Sequence, residues 1–313
     1  MNSVEELGER KIVDIILKCL EPMPRIPVAF GDDVSAVDIE HGKLAVVKTD
    51  MLVGKTDVPP GMSLWQAARK TVVMNISDLA AKGVKPAALL ASIGIPRSFA
   101  REDIEQIGKG LNAGAREYDA YVLGGDTNET SDLIISCVAF GVGDRNKLML
   151  RSGAKPGDVV ATSGTFGKTA AGLRILLHHL SVSPKLKNTL VDAVLMPRAR
   201  LKEGLALAQA GAATASIDSS DGLAWSLHEI SKASEVGFVI TNLPVASETR
   251  KFAETHGSDP VELCLYGGEE YELVVTVTPE LWEIARSAAS LIKIGLVTKE
   301  KKLFLKEKGI KTE

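Results

Sequence analysis

The tightest constraint on this chain lies near its centre, where Ala120, Tyr121, Val122 and Leu123 lead straight into Gly124-Gly125-Asp126-Thr127. The apolar residues have a strand's composition, and the glycines read as its abrupt end. Glycines at a strand end let backbone N–H groups approach a ligand closely, and the aspartate then offers a hard oxygen ligand. Related punctuation recurs upstream in Gly31-Asp32-Asp33, Thr49-Asp50 and Asn75-Ile76-Ser77-Asp78, and downstream in Asp218-Ser219-Ser220-Asp221-Gly222. Each falls at an expected element boundary or on one helix face, so a fold that gathers them builds one pocket. Carboxylates gathered without a basic counterweight call for a metal. Mg²⁺ suits them, because it takes few carboxylates together with phosphates and water. Taken singly, each aspartate reads equally well as a turn residue or a helix cap.

The elements around these points are mixed. Apolar spacing predicts a helix over Val4–Leu20, then a strand pair, Val34–Asp38 and Lys43–Thr49, closed by Asp50. Ser63 is an N-cap for a helix over Leu64–Lys82 that Gly83 ends. Asn75 and Asp78 stand i, i+3 on that helix and share a face. A strand over Ala87–Ile95, a helix over Asp103–Tyr118 and a return strand over Leu133–Val142 complete the first half. The charged, turn-rich Asp144–Pro156 divides the chain into expected domains 1–147 and 148–313. In the second half, strands are expected near 158–163, 213–217, 237–241, 271–277 and 291–297, with helices near 167–179, 198–210, 223–235, 248–256 and 280–289. Helices and hairpin-like strand pairs in both halves predict a mixed α/β (α+β) fold rather than strict βαβ repeats.

Composition removes several functions. A net charge of −3 and 4% aromatic residues supply neither the basic face nor the stacking platforms of a nucleic-acid partner. No apolar run approaches the length needed to span a bilayer, and the N-terminal segment lacks a signal-peptide core. Cys19, Cys137 and Cys264 are widely spaced, as in a reducing cytoplasm.

Other motifs are weaker. Ser163-Gly164-Thr165-Phe166-Gly167-Lys168-Thr169 imitates a P-loop, but Thr162 stands where that loop needs a glycine. The five histidines show no zinc spacing, and no Gly-x-Ser-x-Gly elbow is present. Glu269-Glu270 reads either as an acid/base pair or as a charged loop before a strand. Arg151 reads as a bidentate phosphate clamp or a surface linker residue.

Taken together, the stretches resemble the thiamine-monophosphate kinases, of the superfamily that includes aminoimidazole-ribonucleotide synthetase. The resemblance runs in order through Gly31-Asp32-Asp33, Thr49-Asp50, Asn75 to Gly83, Gly124 to Thr127, Arg151 to Asp158, Asp218 to Leu223 and Gly267 to Leu273. It implies a two-domain α/β fold that dimerises through its N-terminal sheets, with ATP near the dimer interface. It also implies Mg²⁺ held by a set comprising Asp33, Lys48, Thr49, Asp50, Asp78, Asp126, Asp218 and Asp221. Of these, Asp33, Asp50, Asp78 and Asp126 would be catalytic. ATP would be contacted by Gly125, Asp126, Arg151 and Ser220, with Asp57 and Glu269 on the acceptor side. The implied reaction is direct transfer of the γ-phosphate of ATP to thiamine monophosphate in the cytoplasm, with no nucleic-acid or membrane partner. The alternatives are a ligase or cyclase of the same superfamily, or a non-catalytic nucleotide-binding module. Three departures concern the acceptor. Val53 to Val58 lacks the family's usual histidine, Glu270 replaces an aspartate, and the chain ends Gly309 to Glu313 without an aromatic.

Overall fold

The computed structural model describes residues 4–28, 30–307 and 310–312. Its first sheet holds β1 (Ser35–Asp38), β2 (Lys43–Val53), β3 (Pro86–Ile95), β4 (Val122–Glu129) and β5 (Ile134–Asp144) in the order β1-β2-β5-β3-β4. Only β3 and β4 run parallel, and β2 pairs with β5 without a bulge from Lys43↔Asp144 to Val53↔Ile134. The second sheet holds β6 (Val159–Thr162), β7 (Ala213–Asp218), β8 (Gly237–Ile240), β9 (Leu273–Val277), β10 (Ile292–Thr298), β11 (Leu303–Glu307) and β12 (Ile310–Thr312). Its order is β12-β11-β8-β10-β6-β9-β7.

The helices of the first half are α1 (Val4–Leu7), α2 (Glu9–Lys18), α3 (Gly54–Asp57), α4 (Leu64–Ala81) and α5 (Arg101–Glu117). Those of the second half are α6 (Lys168–His178), α7 (Pro184–Leu195), α8 (Leu201–Ala210), α9 (Leu223–Ser234), α10 (Ser247–His256), α11 (Pro260–Tyr266) and α12 (Trp282–Ala289).

The element that positions the site is α4. Ser63 caps it through a reciprocal pair with Gln66, satisfying two orphan backbone donors. Its apolar residues face several directions: Ala68, Val72, Val73, Ile76, Leu79 and Ala80 are all buried. A helix buried on most sides needs partners on most sides. It packs on β2 and β5, on α5, and on α8 and β7 of the second half. Gly204 of α8 lies so close that a Cβ there would meet Ala80 O at 1.9 Å. One continuous core therefore runs from β5 through α4 to α8, β9 and α12. Asp78 is thereby placed between β2, which carries Asp50, and β7, which ends in Asp218.

Several expectations need correction. The first helix breaks at Gly8, whose φ of 71° is left-handed. β2 continues past Asp50 to Val53, because β5 offers backbone partners along its whole length. Gly124-Gly125-Asp126-Thr127 is the middle of β4 rather than its end. Gly125 is extended there, and the glycine serves close approach: a Cβ would meet Ala91 O at 1.7 Å. α7, α11, β11 and β12 were not expected; α11 and the pair β11–β12 follow short or charged segments with little periodicity. Of the chain end expected to lack an aromatic, residues 308, 309 and 313 lie outside the described residues.

Candidate active site

Asp33, Asp78 and Asp218 converge although 185 residues separate the first from the last. All three are buried, and one carboxylate oxygen of each lies within 4.8 Å of the others. Asp78 projects from α4 and Asp218 from the end of β7, where Ser77 Oγ donates to it at 2.7 Å. Burial, then the charge of Asp33, pushes the Asp218 carboxyl up to about 7. Burial, then Asp218, holds Asp78 well above the usual carboxylate range. Acids that burial and their neighbours' charges keep protonated are ones from which a divalent cation would displace the proton.

The cluster is not without cations, contrary to expectation. Lys48 Nζ lies 3.2 Å from both Asp50 and Asp78. Burial disfavours its charge, but Asp78 and Asp50 outweigh that and raise its pKa. An ammonium has donors and no lone pair. The Lys48 side chain, counted with the magnesium set on sequence, is therefore a counter-ion and not a ligand. Lys82, fully buried at the end of α4, reaches Asp32 at 2.6 Å, Asp33 at 2.8 Å and Ser216 O at 2.8 Å. Asp33 Oδ2 is at ion-pair distance from Lys82 yet accepts no well-directed hydrogen bond, so a buried lone pair remains for a cation. Arg151 donates through Nε to Asp33 Oδ1 at 2.6 Å and through its backbone N–H to Asp32 at 2.9 Å. It also donates to Gly31 O and to Glu229. It is a site residue, not a surface linker.

Thr49, Gly125 and Asp126 lie elsewhere. Met51, Ser136, Ser92 and Asp126 form one row across β2, β5, β3 and β4. Three strand spacings put Asp126 about 14 Å from β2. Alternation puts Asp126 and Thr49 on the face opposite Asp50, where Thr49 Oγ1 is 3.5 Å from Ser136 Oγ. Within one protomer, then, the expected set divides. Asp33, Asp50, Asp78 and Asp218 meet on the α4 face, while Thr49 and Asp126 are exposed on the open face.

Ser220 and Asp221 are exposed at the cluster's edge. Asp221 and Arg151 border a cleft of about 840 Å³ that Asp14, Trp225, His228 and Tyr266 also line. The following loop is tied to this turn: Glu269 N–H donates to Ser220 O at 2.6 Å and Tyr271 N–H to Ser219 O at 3.0 Å. Glu269 and Tyr271 both take left-handed backbone, with φ of 60° and 51°. Burial, then the charges of Glu269 and Asp218, keep the Tyr271 phenol well above its ordinary pKa, so it stays protonated beside the acids.

Glu270 has a different task. Its buried carboxylate accepts from Gly167 N–H at 2.6 Å and from the backbone and hydroxyl of Thr169. It fills the N-terminus of α6, the place where a P-loop would hold phosphate. The resemblance to a P-loop is thus excluded by a carboxylate already seated there. Asp57 likewise turns inward: its carboxylate accepts from Val53 N–H at 2.7 Å.

A donor set made only of carboxylate and hydroxyl oxygens, with no thiol or imidazole, fits Mg²⁺. Asp33, Asp78 and Asp218 would hold it, with Asp50 beside them.

The chain matches the models for AIR synthase related protein, N-terminal domain, over residues 31–143 and C-terminal domain over 155–308. It is 40% identical over 254 residues to a thiamine-monophosphate kinase of Pyrococcus horikoshii, covering 80% of this chain and 78% of the relative. The chain belongs to the thiamine-monophosphate kinase family. A thiamine-monophosphate kinase of Nitrosopumilus maritimus is 38% identical over 276 residues, 86% of this chain and 87% of its own. Among solved structures, AaThiL complexed with AMPPCP and TMP superposes with a TM-score of 0.89 at 28% identity, covering 100% of this chain and 97% of that one.

The sequence reading named Lys48 only within the implied magnesium set and did not name the buried Lys70 and Lys82 of α4 at all. Lys48 alternates with Asp50 on a strand, so period two places them on one face and was available as a signal. Lys82 and Lys70 look like ordinary helix charges. Only their position on a helix with few polar neighbours hinted that they are buried.

Proposed function

We propose that this chain transfers the γ-phosphate of ATP directly to thiamine monophosphate, giving thiamine diphosphate and ADP. The observation that carries the reading is the convergence of Asp33, Asp78 and Asp218 in a chain of this family. Bound among these acids, Mg²⁺ would offset the repulsion between two phosphate groups and hold them in line. Asp33, Asp50, Asp78 and Asp218 present its oxygen ligands, with Asp221 at the rim. Lys48 and Lys82 hold the acids apart and oriented before any ligand arrives. Arg151, already a multivalent donor, clamps the nucleotide phosphates together with the exposed Ser220. The acceptor phosphate is largely ionised near neutral pH, so no general base is required, in keeping with a site without histidine ligands. Glu269 and the Asp57 loop face the acceptor.

Gly125 and Asp126 serve the nucleotide from the open face of the first sheet. That face carries exposed Val47, Met51, Leu90, Val138 and Val142, an apolar area suited to pairing with a second copy. A homodimer joined there presents the Asp126 of one copy to the site of the other. Among the described residues no helix is long and apolar enough to cross a membrane. Cys19, Cys137 and Cys264 are free thiols, which supports a cytoplasmic setting.

The test is incubation with ATP, Mg²⁺ and thiamine monophosphate, with chromatography of both product families. Thiamine diphosphate forming one-for-one with ADP is the expected result. ATP binding without thiamine diphosphate would transfer the reading to a ligase or cyclase. Asp78→Asn should lower turnover at least roughly a hundredfold while leaving the circular dichroism spectrum unchanged.

A further inference from the structure

Lys70 has no part in the acid cluster, yet its side chain is only 1% exposed. A buried ammonium costs several kcal/mol unless it is paired and hydrogen-bonded. Its partners are specific. Nζ lies 2.5 Å from Glu269 Oε1 and donates to Asp57 O at 3.1 Å. One cation thereby joins the loop before β9 to the β2–α4 connection, two segments more than 200 residues apart in sequence.

The placement follows from α4. Lys70 precedes Asp78 by eight residues on this helix, about 12 Å along its axis. Asp78 marks the phosphate end, and Lys70 stands further along, where the remainder of a small phosphorylated acceptor has to lie. Both segments held by Lys70 need holding. Glu269 takes a left-handed φ of 60°, which a glutamate does not adopt freely. The Asp57 segment closes on itself through the bond from Val53 N–H. The Glu269 side chain nonetheless remains 38% exposed, so a ligand can reach it while Lys70 grips it from inside.

We propose that Lys70 is the positioning residue of the acceptor side, fixing the Glu269 carboxylate against the Asp57 segment and so setting where the acceptor's ring binds. This rests on the reading of Glu269 as facing the acceptor. Lys70 touches neither the nucleotide side, built from Arg151 and Ser220, nor the three clustered aspartates. Its loss should therefore appear in acceptor affinity and leave the phosphate chemistry alone.

The experiment is steady-state kinetics on Lys70→Met, Glu269→Gln and the double variant, with both substrates varied. Methionine conserves the volume of the buried stem, and partly exposed Glu269 can be solvated once unpaired. Lys70→Met should raise the KM for thiamine monophosphate roughly tenfold or more, with kcat and the KM for ATP changed less than about threefold. Glu269→Gln keeps a hydrogen-bond acceptor for the buried Lys70 ammonium and should show the same split, with its melting temperature measured alongside. The double variant should be no worse than the worse single, because the two residues act as one unit. A general loss of structure would instead move both KM values and the melting temperature together, and that result overturns the proposal. So does an unchanged acceptor KM, or single effects that multiply in the double variant. Failure of the wild-type protein to make thiamine diphosphate is a separate outcome, which removes the acceptor reading and the proposal with it.

Discussion

Asp218 shows most directly how one residue couples folding to ligand chemistry. Its carboxyl is pushed up to about 7 by burial, then by Asp33, from an ordinary value of 3.8. Between those limits the folded chain keeps a proton that the unfolded chain releases. Stability from this group is therefore full at low pH and lost as pH rises towards 7. Asp78, raised by burial and then by Asp218, acts in the same direction. A divalent cation at the cluster displaces the proton and removes the loss. Without metal, the protein should melt at a higher temperature near about pH 5 than near about pH 8, as far as these groups decide. Added Mg²⁺ should raise the melting temperature more at the higher pH. Differential scanning calorimetry with chelator and with Mg²⁺ measures both, and a gain independent of pH would sink the cluster as the metal site. The aspartates themselves were legible, because Asp beside Gly, Ser or Thr recurs at spaced points of the chain. Of their counter-ions, Lys48 was within reach of strand alternation and Lys82 was not. Lys82 meets Asp33 and Ser216 O across long sequence separations that no local pattern encodes.

At the scale of elements, legibility follows periodicity. α4 was readable from the Ser63 cap and Gly83 that bound it, and α5 from the 3.6-residue spacing of Ile107, Leu111, Gly114 and Ala115. The end of β4 was misread because glycine has two uses, turn and close approach, and only the packed partner Ala91 distinguishes them. The Gly164–Thr169 segment makes the same point about helix N-termini. As a sequence it invites a phosphate; in the fold Glu270 occupies the three donors. Glu270→Ala should strand the N–H groups of Gly167 and Thr169 in a buried place, costing roughly 2–4 kcal/mol. Denaturant unfolding should register that loss. The KM for ATP should stay within about twofold of wild type, since the nucleotide is not bound at α6. A large rise in the KM for ATP without loss of stability would return the P-loop reading.

For the whole molecule the open question is why this chain leaves one face of a five-stranded sheet apolar. Its opposite face is covered by α4 and α5, so alternation along each strand should put polar residues outward. Instead Val47, Met51, Leu90, Val138 and Val142 point out, with exposures of 36% to 55%. The site explains what the surface alone does not. On the proposed reading Asp126 and Thr49 serve the phosphates, yet they lie on this open face, while Asp78 and Asp218 lie behind it. The proposed second copy seated on the face would reconcile the two positions, burying the apolar strands and bringing Asp126 to a neighbour's nucleotide. Light scattering should then give twice the 33.3 kDa of one chain. Val138→Lys, at the centre of the face, should yield a folded monomer that has lost most of its turnover. Mixing that variant with Asp78→Asn should not restore activity if the charge blocks every pairing. A fully active wild-type monomer would show that Asp126 reaches the nucleotide from within its own chain, and the face would need another partner.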